Sequence, residues 1–265
     1  MFKENSWAGV AVRPSRWGEA VRYLLNSNQR PIDGAADNPD PRDFAAGLPA
    51  GSVKIPSKFS LYDKAVKIGW GLTKQSLNSC TAYSKCHGAE ITNTIEHGKV
   101  VNVDKEKQWA YQEDTGGGRD RGDLIQNAEK QFHKNPQGFK QTEYRRLRSA
   151  ENSVRGAKLW LLKNETIRTG IYWKWVRSER NTNSGVMMDT GFFVPGEGTV
   201  LGGHACCITG WDDKAKAPDG SIGAFEVVES EKIKWEENPE GLFWVSYKYF
   251  HNMFSKYISR DTIDL

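Results

Sequence analysis

Two residues in this sequence have the type and setting for nucleophilic chemistry. Cys80 follows Asn78 and Ser79, both suited to capping a helix, and opens a run in which the small residues Ala82, Cys86 and Ala89 recur at i, i+4 and i+7. That spacing predicts a helix beginning at Cys80 and stopping at Gly98. The unpaired N–H groups and the dipole at a helix start favour the thiolate, which is the nucleophilic form of cysteine. His204 lies in Gly202-Gly203-His204-Ala205-Cys206-Cys207-Ile208, where glycines give way to an apolar, strand-like run. Two glycines allow close approach of another element, and a histidine at the first strand position is directed. Alone, each residue reads as packing, as Cys86 does; together they supply a thiol and a base.

The elements that must position this pair follow from periodicity. Residues 1–50 are broken by Arg30-Pro31, Asn38-Pro39, Asp40-Pro41 and Leu48-Pro49, with one helical pattern at Trp17, Ala20, Val21 and Leu24, and read as an N-terminal extension or pro-region-like arm. From Val53 to Gly71 short β-like pieces alternate with turns. Leu124, Ile125, Ala128 and Phe132 predict a second helix, opened by Asp120 or Asp123 and closed at Asn135-Pro136, and Ser153 caps a third through Val154, Ala157, Trp160 and Leu161. The period then changes to 2 at Ile171, Trp173 and Trp175, and strands are expected at 205–211, 224–228 and 242–249. Helices first and strands second predict an α+β protein, with a helical half at about 51–165, a sheet half at about 166–255, and a cleft between them.

Gln75-Ser76-Leu77-Asn78-Ser79-Cys80-Thr81-Ala82-Tyr83-Ser84 resembles the nucleophile segment of papain-like cysteine peptidases, particularly a divergent microbial or viral branch. Gly203-His204-Ala205, with its apolar strand, Gly210 and Trp211, resembles that family's histidine strand. His204 falls 124 residues after Cys80, near the span of about 130 to 150 within which such enzymes place the histidine and its partner. The resemblance implies a papain-like peptidase domain over 51–265, with Cys80 on the helical side and His204 on the sheet side.

The resemblance also assigns further residues. The family's orienting asparagine precedes a Ser-Trp-Gly sequence, whereas here Val228-Glu229-Ser230-Glu231 occupies that place, with Trp235 six residues after Glu229. A Glu229 carboxylate accepting from the imidazole would hold its tautomer as the acidic member of other triads does. The alternative is that Glu229, among Glu226, Glu231, Glu236 and Glu237, is one of several solvated carboxylates. The family's oxyanion-site glutamine lies six residues before the cysteine, where this chain has Lys74; Gln75, five before, is the favoured donor. Such a donor is worth about 3 to 4 kcal/mol of transition-state stabilisation. Gly116, Gly117 and Gly118 correspond to a substrate-cleft glycine pair or form an exposed turn, and Trp235 is expected to shield the histidine's partner or to pack in the core.

The resulting expectation is a thiol-dependent peptide hydrolase with a Cys80-His204-Glu229 triad, acting through an acyl-enzyme on a peptide or protein, with no cofactor and no metal. Two other readings stay open: an inactive papain-like module serving a structural or interaction role, and a cell-wall amidase of the CHAP type. The latter's compact fold leaves less chain between cysteine and histidine. With Lys and Arg exceeding Asp and Glu by only four, the composition is that of an ordinary globular protein. Residues 134–180 carry 12 Lys or Arg against 4 Asp or Glu, a stripe read as a solvated face rather than a nucleic-acid surface. No apolar run suits a membrane span or a signal peptide, so a cytoplasmic or virion-associated protein is expected, with residues 1–50 available for a larger assembly.

Overall fold

Ser60 begins the first helix, because its hydroxyl accepts from the Asp63 N–H at 2.8 Å, and Gly69 ends it with a φ of 109°. The computed structural model describes residues 44–45, 53–75, 77–103, 120, 122–134, 140–147, 152–175, 185–187, 191–195, 199–232, 234 and 238–262. Its helices are α1 (Leu61–Ile68), α2 (Cys80–His97), α3 (Ile125–Lys134), α4 (Val154–Leu161) and the short α5 (Tyr247–Phe250). Three expected helices are present: α2 opens after Ser79 and stops at Gly98, α3 begins at Ile125, and α4 is capped by the Ser153 hydroxyl, which accepts from the Gly156 N–H at 3.0 Å. Helix α1 corrects the expectation of β-like pieces over 53–71, of which only Lys58–Ser60 is a strand. The cap residues at both its ends were its signal.

Among the described residues the strands are β1 (Phe44–Ala45), β2 (Lys58–Ser60), β3 (Lys140–Arg146), β4 (Ile167–Trp175), β5 (Gly185–Met187), β6 (Phe192–Pro195), β7 (Thr199–Lys216), β8 (Ile222–Val228), β9 (Leu242–Ser246) and β10 (Phe254–Thr262). They form one mixed sheet in the order β1-β3-β10-β4-β7-β8-β9-β6-β5, with β2 also on β7. Only β1 with β3 and β6 with β9 run parallel. The strand expected over 242–249 ends at Ser246, and the chain turns into α5. Strand β7 is central: Cys206, Ile208 and Trp211 reach from it into the main core, beside Phe225 and Val227 of β8 and Leu61 of α1.

Helix α2 is buried around most of its circumference, including its polar residues Lys85, Glu90 and Asn93. Each has a partner, as burial demands. Glu90 accepts from the Trp70 indole at 3.2 Å and the Val103 N–H at 2.8 Å, and Asn93 donates to the Ala89 and Asp261 carbonyls. Lys85 lies 2.6 Å from Asp261 of β10 and 3.3 Å from Glu129 of α3; Glu129 in turn is 2.9 Å from Arg168 of β4. Burial alone would push the Glu129 carboxyl up, but Arg168 and Lys85 outweigh it and hold it below the ordinary value. Arg168 belongs to the basic stretch expected to be solvated, and it is fully buried instead. The four charges tie both helices to the sheet.

A second buried carboxylate stands on β8. Glu226 accepts from the Ser60 and Thr209 hydroxyls at 2.8 Å each, and burial pushes its carboxyl up to about 7. The folded chain therefore keeps this proton at pH values where the unfolded chain has lost it. Its contribution to stability is complete below pH of about 4.5 and is lost as pH rises towards and through about 7. A change on the order of 3 kcal/mol follows. Urea unfolding at pH 5 and pH 8 should show this loss in the wild type relative to Glu226→Gln, which accepts the same hydroxyls and does not titrate.

Candidate functional site

Cys80 is the first residue of α2, after Ser79, whose side chain makes no cap hydrogen bond to the helix. The approach to it is fixed from outside. Asp120 accepts from the Asn78 N–H at 2.9 Å, and its carbonyl accepts from the Asn78 amide at 3.3 Å. Asp120, expected with Asp123 as a candidate cap of α3, thus anchors the turn before α2. Gly88, two turns into α2, lets the helix lie close to the sheet: a Cβ there would stand 2.6 Å from Thr166 Oγ1 and 3.4 Å from Cys207 Sγ. A methyl group at this position would push the helix carrying Cys80 away from β4 and β7.

The strand that Gly88 faces carries the histidine. His204 pairs with Ile171 of β4, and the next residue, Ala205, donates its N–H to Cys80 Sγ at 3.4 Å. His204 Nε2 lies 3.6 Å from Glu229 Oε2, and both side chains are almost completely buried. That separation is an ion-pair distance and longer than a hydrogen bond; catalytic hydrogen bonds are often long before substrate binds. Glu229 directly follows β8 and is held by its own N–H on the Gly241 carbonyl at 2.8 Å and by the Glu231 N–H, which donates to Oε2 at 2.5 Å. Gly241, at a φ of 74°, passes so near that a Cβ would meet the Glu229 carbonyl oxygen at 2.9 Å. Glu226, Glu229 and Glu231 are all buried, which corrects the picture of solvated carboxylates.

Gln75 is buried and Lys74 is exposed. The Gln75 main-chain N–H donates to the Ser230 carbonyl at 2.9 Å, and its side-chain Nε2 donates to the Leu77 carbonyl at 3.0 Å and to Glu231 Oε1 at 2.8 Å. Its Oε1 accepts from the Ser230 hydroxyl. Gln75 and Glu229 are thereby joined through Ser230 and Glu231. No local pattern marks Ser230 or Glu231 for a role apart from their position after Glu229. Gly116, Gly117, Gly118 and Trp235 lie outside the described residues, as does the arm's helical pattern at 17–24.

The other three thiols are packing residues. Cys86 sits with Ala82, Ala89 and Phe132. Burial, with the neighbouring Cys207 and Cys80, pushes Cys206 well above the ordinary thiol value, and burial pushes Cys207 up to about 11. Both remain protonated at neutral pH and are poor nucleophiles. Among the described residues no helix is long and apolar enough to cross a membrane.

The chain has the papain-like cysteine protease fold, an α+β arrangement of helices against a mostly antiparallel sheet. It is similar in structure to xylellain, a cysteine protease from Xylella fastidiosa, with a TM-score of 0.62 and 18% identity over 89% of this chain and 98% of that one. The cysteine protease and lectin-like domains of Cwp84, a surface-layer associated protein of Clostridium difficile, align with a TM-score of 0.58 and 16% identity over 96% of this chain and 61% of that one. Procathepsin B S9 from Trypanosoma congolense aligns with a TM-score of 0.57 and 11% identity over 96% and 99%. No protein-family model matches the chain, and no curated protein matches it by sequence.

Proposed function

We propose that this chain is a cysteine peptidase in which Cys80 attacks the carbonyl carbon of a peptide or protein substrate. The observation that carries this reading is the meeting of α2 and β7: Cys80 Sγ accepts the Ala205 N–H, and the adjacent His204 has its Nε2 turned to Glu229. With Nε2 on that side, Nδ1 is the ring nitrogen left for the thiol. Glu229 favours the tautomer carrying a proton on Nε2 and stabilises the imidazolium once Nδ1 has taken the thiol proton. Attack breaks the carbonyl π bond and places its electron pair on the oxygen. The Cys80 main-chain N–H, in the first turn of its helix, and the Gln75 amide are suited to that oxyanion. Collapse of the intermediate expels the amine, which takes the His204 proton, and leaves Cys80 acylated. Water attacks the thioester with His204 as base, releasing the acid and restoring the thiol.

A peptide-like epoxide directed at thiols tests the assignment. Mass spectrometry should find the label on Cys80 and not on Cys86, Cys206 or Cys207, and Cys80→Ala should remove it. Equal labelling of all four cysteines in the native protein would refute the assignment. Turnover of muropeptides without cleavage of any peptide library would redirect the reading to a cell-wall amidase.

A further inference from the structure

The Gln75 side chain has two ends of nearly the same shape and opposite chemistry. Its NH2 end faces two acceptors, the Leu77 carbonyl and the Glu231 carboxylate, and its carbonyl end faces the Ser230 hydroxyl. A hydroxyl can rotate to serve either end, so Ser230 does not choose between them. Turning the amide over would set its oxygen against the two acceptors, with no proton between. Of these, Glu231 is the charged one and makes the stronger bond, and its burial keeps water from competing. The same residue donates its own N–H to Glu229 Oε2. It therefore bears on the histidine's partner through its main chain and on Gln75 through its side chain.

We infer that Glu231 is a positioning residue that sets the direction of the Gln75 amide and thereby supplies the oxyanion site with an N–H donor instead of a carbonyl oxygen. This rests on the reading of Gln75 given under the proposed function. Both Gln75 side-chain N–H groups are engaged, so a substrate oxyanion must draw on one of them. The bond to the neutral Leu77 carbonyl is the weaker and is the one exchanged, while the bond to Glu231 holds the amide in place.

Four forms test this: Glu231→Leu, Glu231→Gln, Gln75→Ala, and Gln75→Ala combined with Glu231→Leu. Glu231→Leu should lower kcat by up to about 10²-fold with KM changed by less than about twofold, as for loss of an oxyanion donor. Glu231→Gln, whose carbonyl oxygen still accepts from Gln75, should recover most of that loss. Alkylation of Cys80 by iodoacetamide forms no oxyanion and should proceed at one rate in all four. In the Gln75→Ala background, Glu231→Leu should have no further effect on kcat. The same loss in both backgrounds, or a parallel fall in alkylation, would overturn the inference, since Glu231 would then act on the fold or on Glu229. The Gln75 side-chain amide protons, followed by NMR, supply a readout without catalysis. Glu231→Leu should shift one of them strongly, and unmoved resonances would overturn the contact. A wild-type chain that hydrolyses no peptide would refute the peptidase reading, and the amide resonances would then decide the contact by themselves.

Discussion

His204→Ala should slow peptide hydrolysis by about 10² to 10⁴-fold, the range that one positioned acid-base group supplies, and Cys80→Ala should reduce it to background. The two losses should not add. Once Cys80 is absent no step remains for His204 to assist, so the double variant should equal Cys80→Ala, as happens when residues act as one unit. Glu229 divides this result further. Glu229→Gln keeps an oxygen that can accept from the ring and from the Glu231 N–H, whereas Glu229→Ala leaves the buried Nε2 side of His204 without its facing carboxylate. Initial rates on a fluorogenic peptide should therefore rank wild type, then Glu229→Gln, then Glu229→Ala. Thermal melts of each form separate lost chemistry from lost structure. Full activity in His204→Ala would dismiss His204 as the base, and a wild type without hydrolysis would leave an inactive module on this fold.

The residues of this series were legible because their chemistry is tied to local pattern. A thiol after Asn-Ser at the head of a small-residue helix, and a histidine where glycines give way to a strand, are short-range signals, and the helices at 80–97, 125–134 and 154–161 follow from caps and apolar spacing. Glu229 was legible only through resemblance, since nothing nearby distinguishes it from the other carboxylates. Apart from α1, whose caps are a local signal, the elements that escaped are those whose burial depends on distant partners. Strand β3 reads Lys-Gln-Thr-Glu-Tyr-Arg-Arg and offers almost no apolar alternation, yet Gln141 is buried because its amide meets Glu129 at 2.6 Å. Strand β10 carries Lys256, Ser259 and Asp261 inward, and a polar tail of this kind gives no periodic hydrophobic signal. In the same way, the pairing of Glu231 with Gln75 spans 156 positions and has no trace in either local segment.

Lys85→Met should destabilise the chain by about 3 to 5 kcal/mol, because removal of one partner leaves opposite charges buried without compensation. Asp261 would lose both of its bonds from Nζ, at 2.6 and 2.7 Å, and keep the Ser259 hydroxyl; Glu129 would retain Arg168 and Gln141. The loss thus falls chiefly on Asp261, at the point where β10 meets α2. Replacing both partners, as Lys85→Met with Asp261→Leu, removes the stranded charge and should recover much of the stability, since a buried pair exchanged for apolar groups is often close to neutral. Urea unfolding of the two single variants and the double variant measures the coupling, and additive losses would contradict it. Because Lys85 lies five residues after Cys80 on one rigid helix, the single variant should also weaken the hold of α2 on the sheet that carries His204. Labelling of Cys80 should then slow in Lys85→Met under conditions where the protein is still folded, and return in the double variant together with stability.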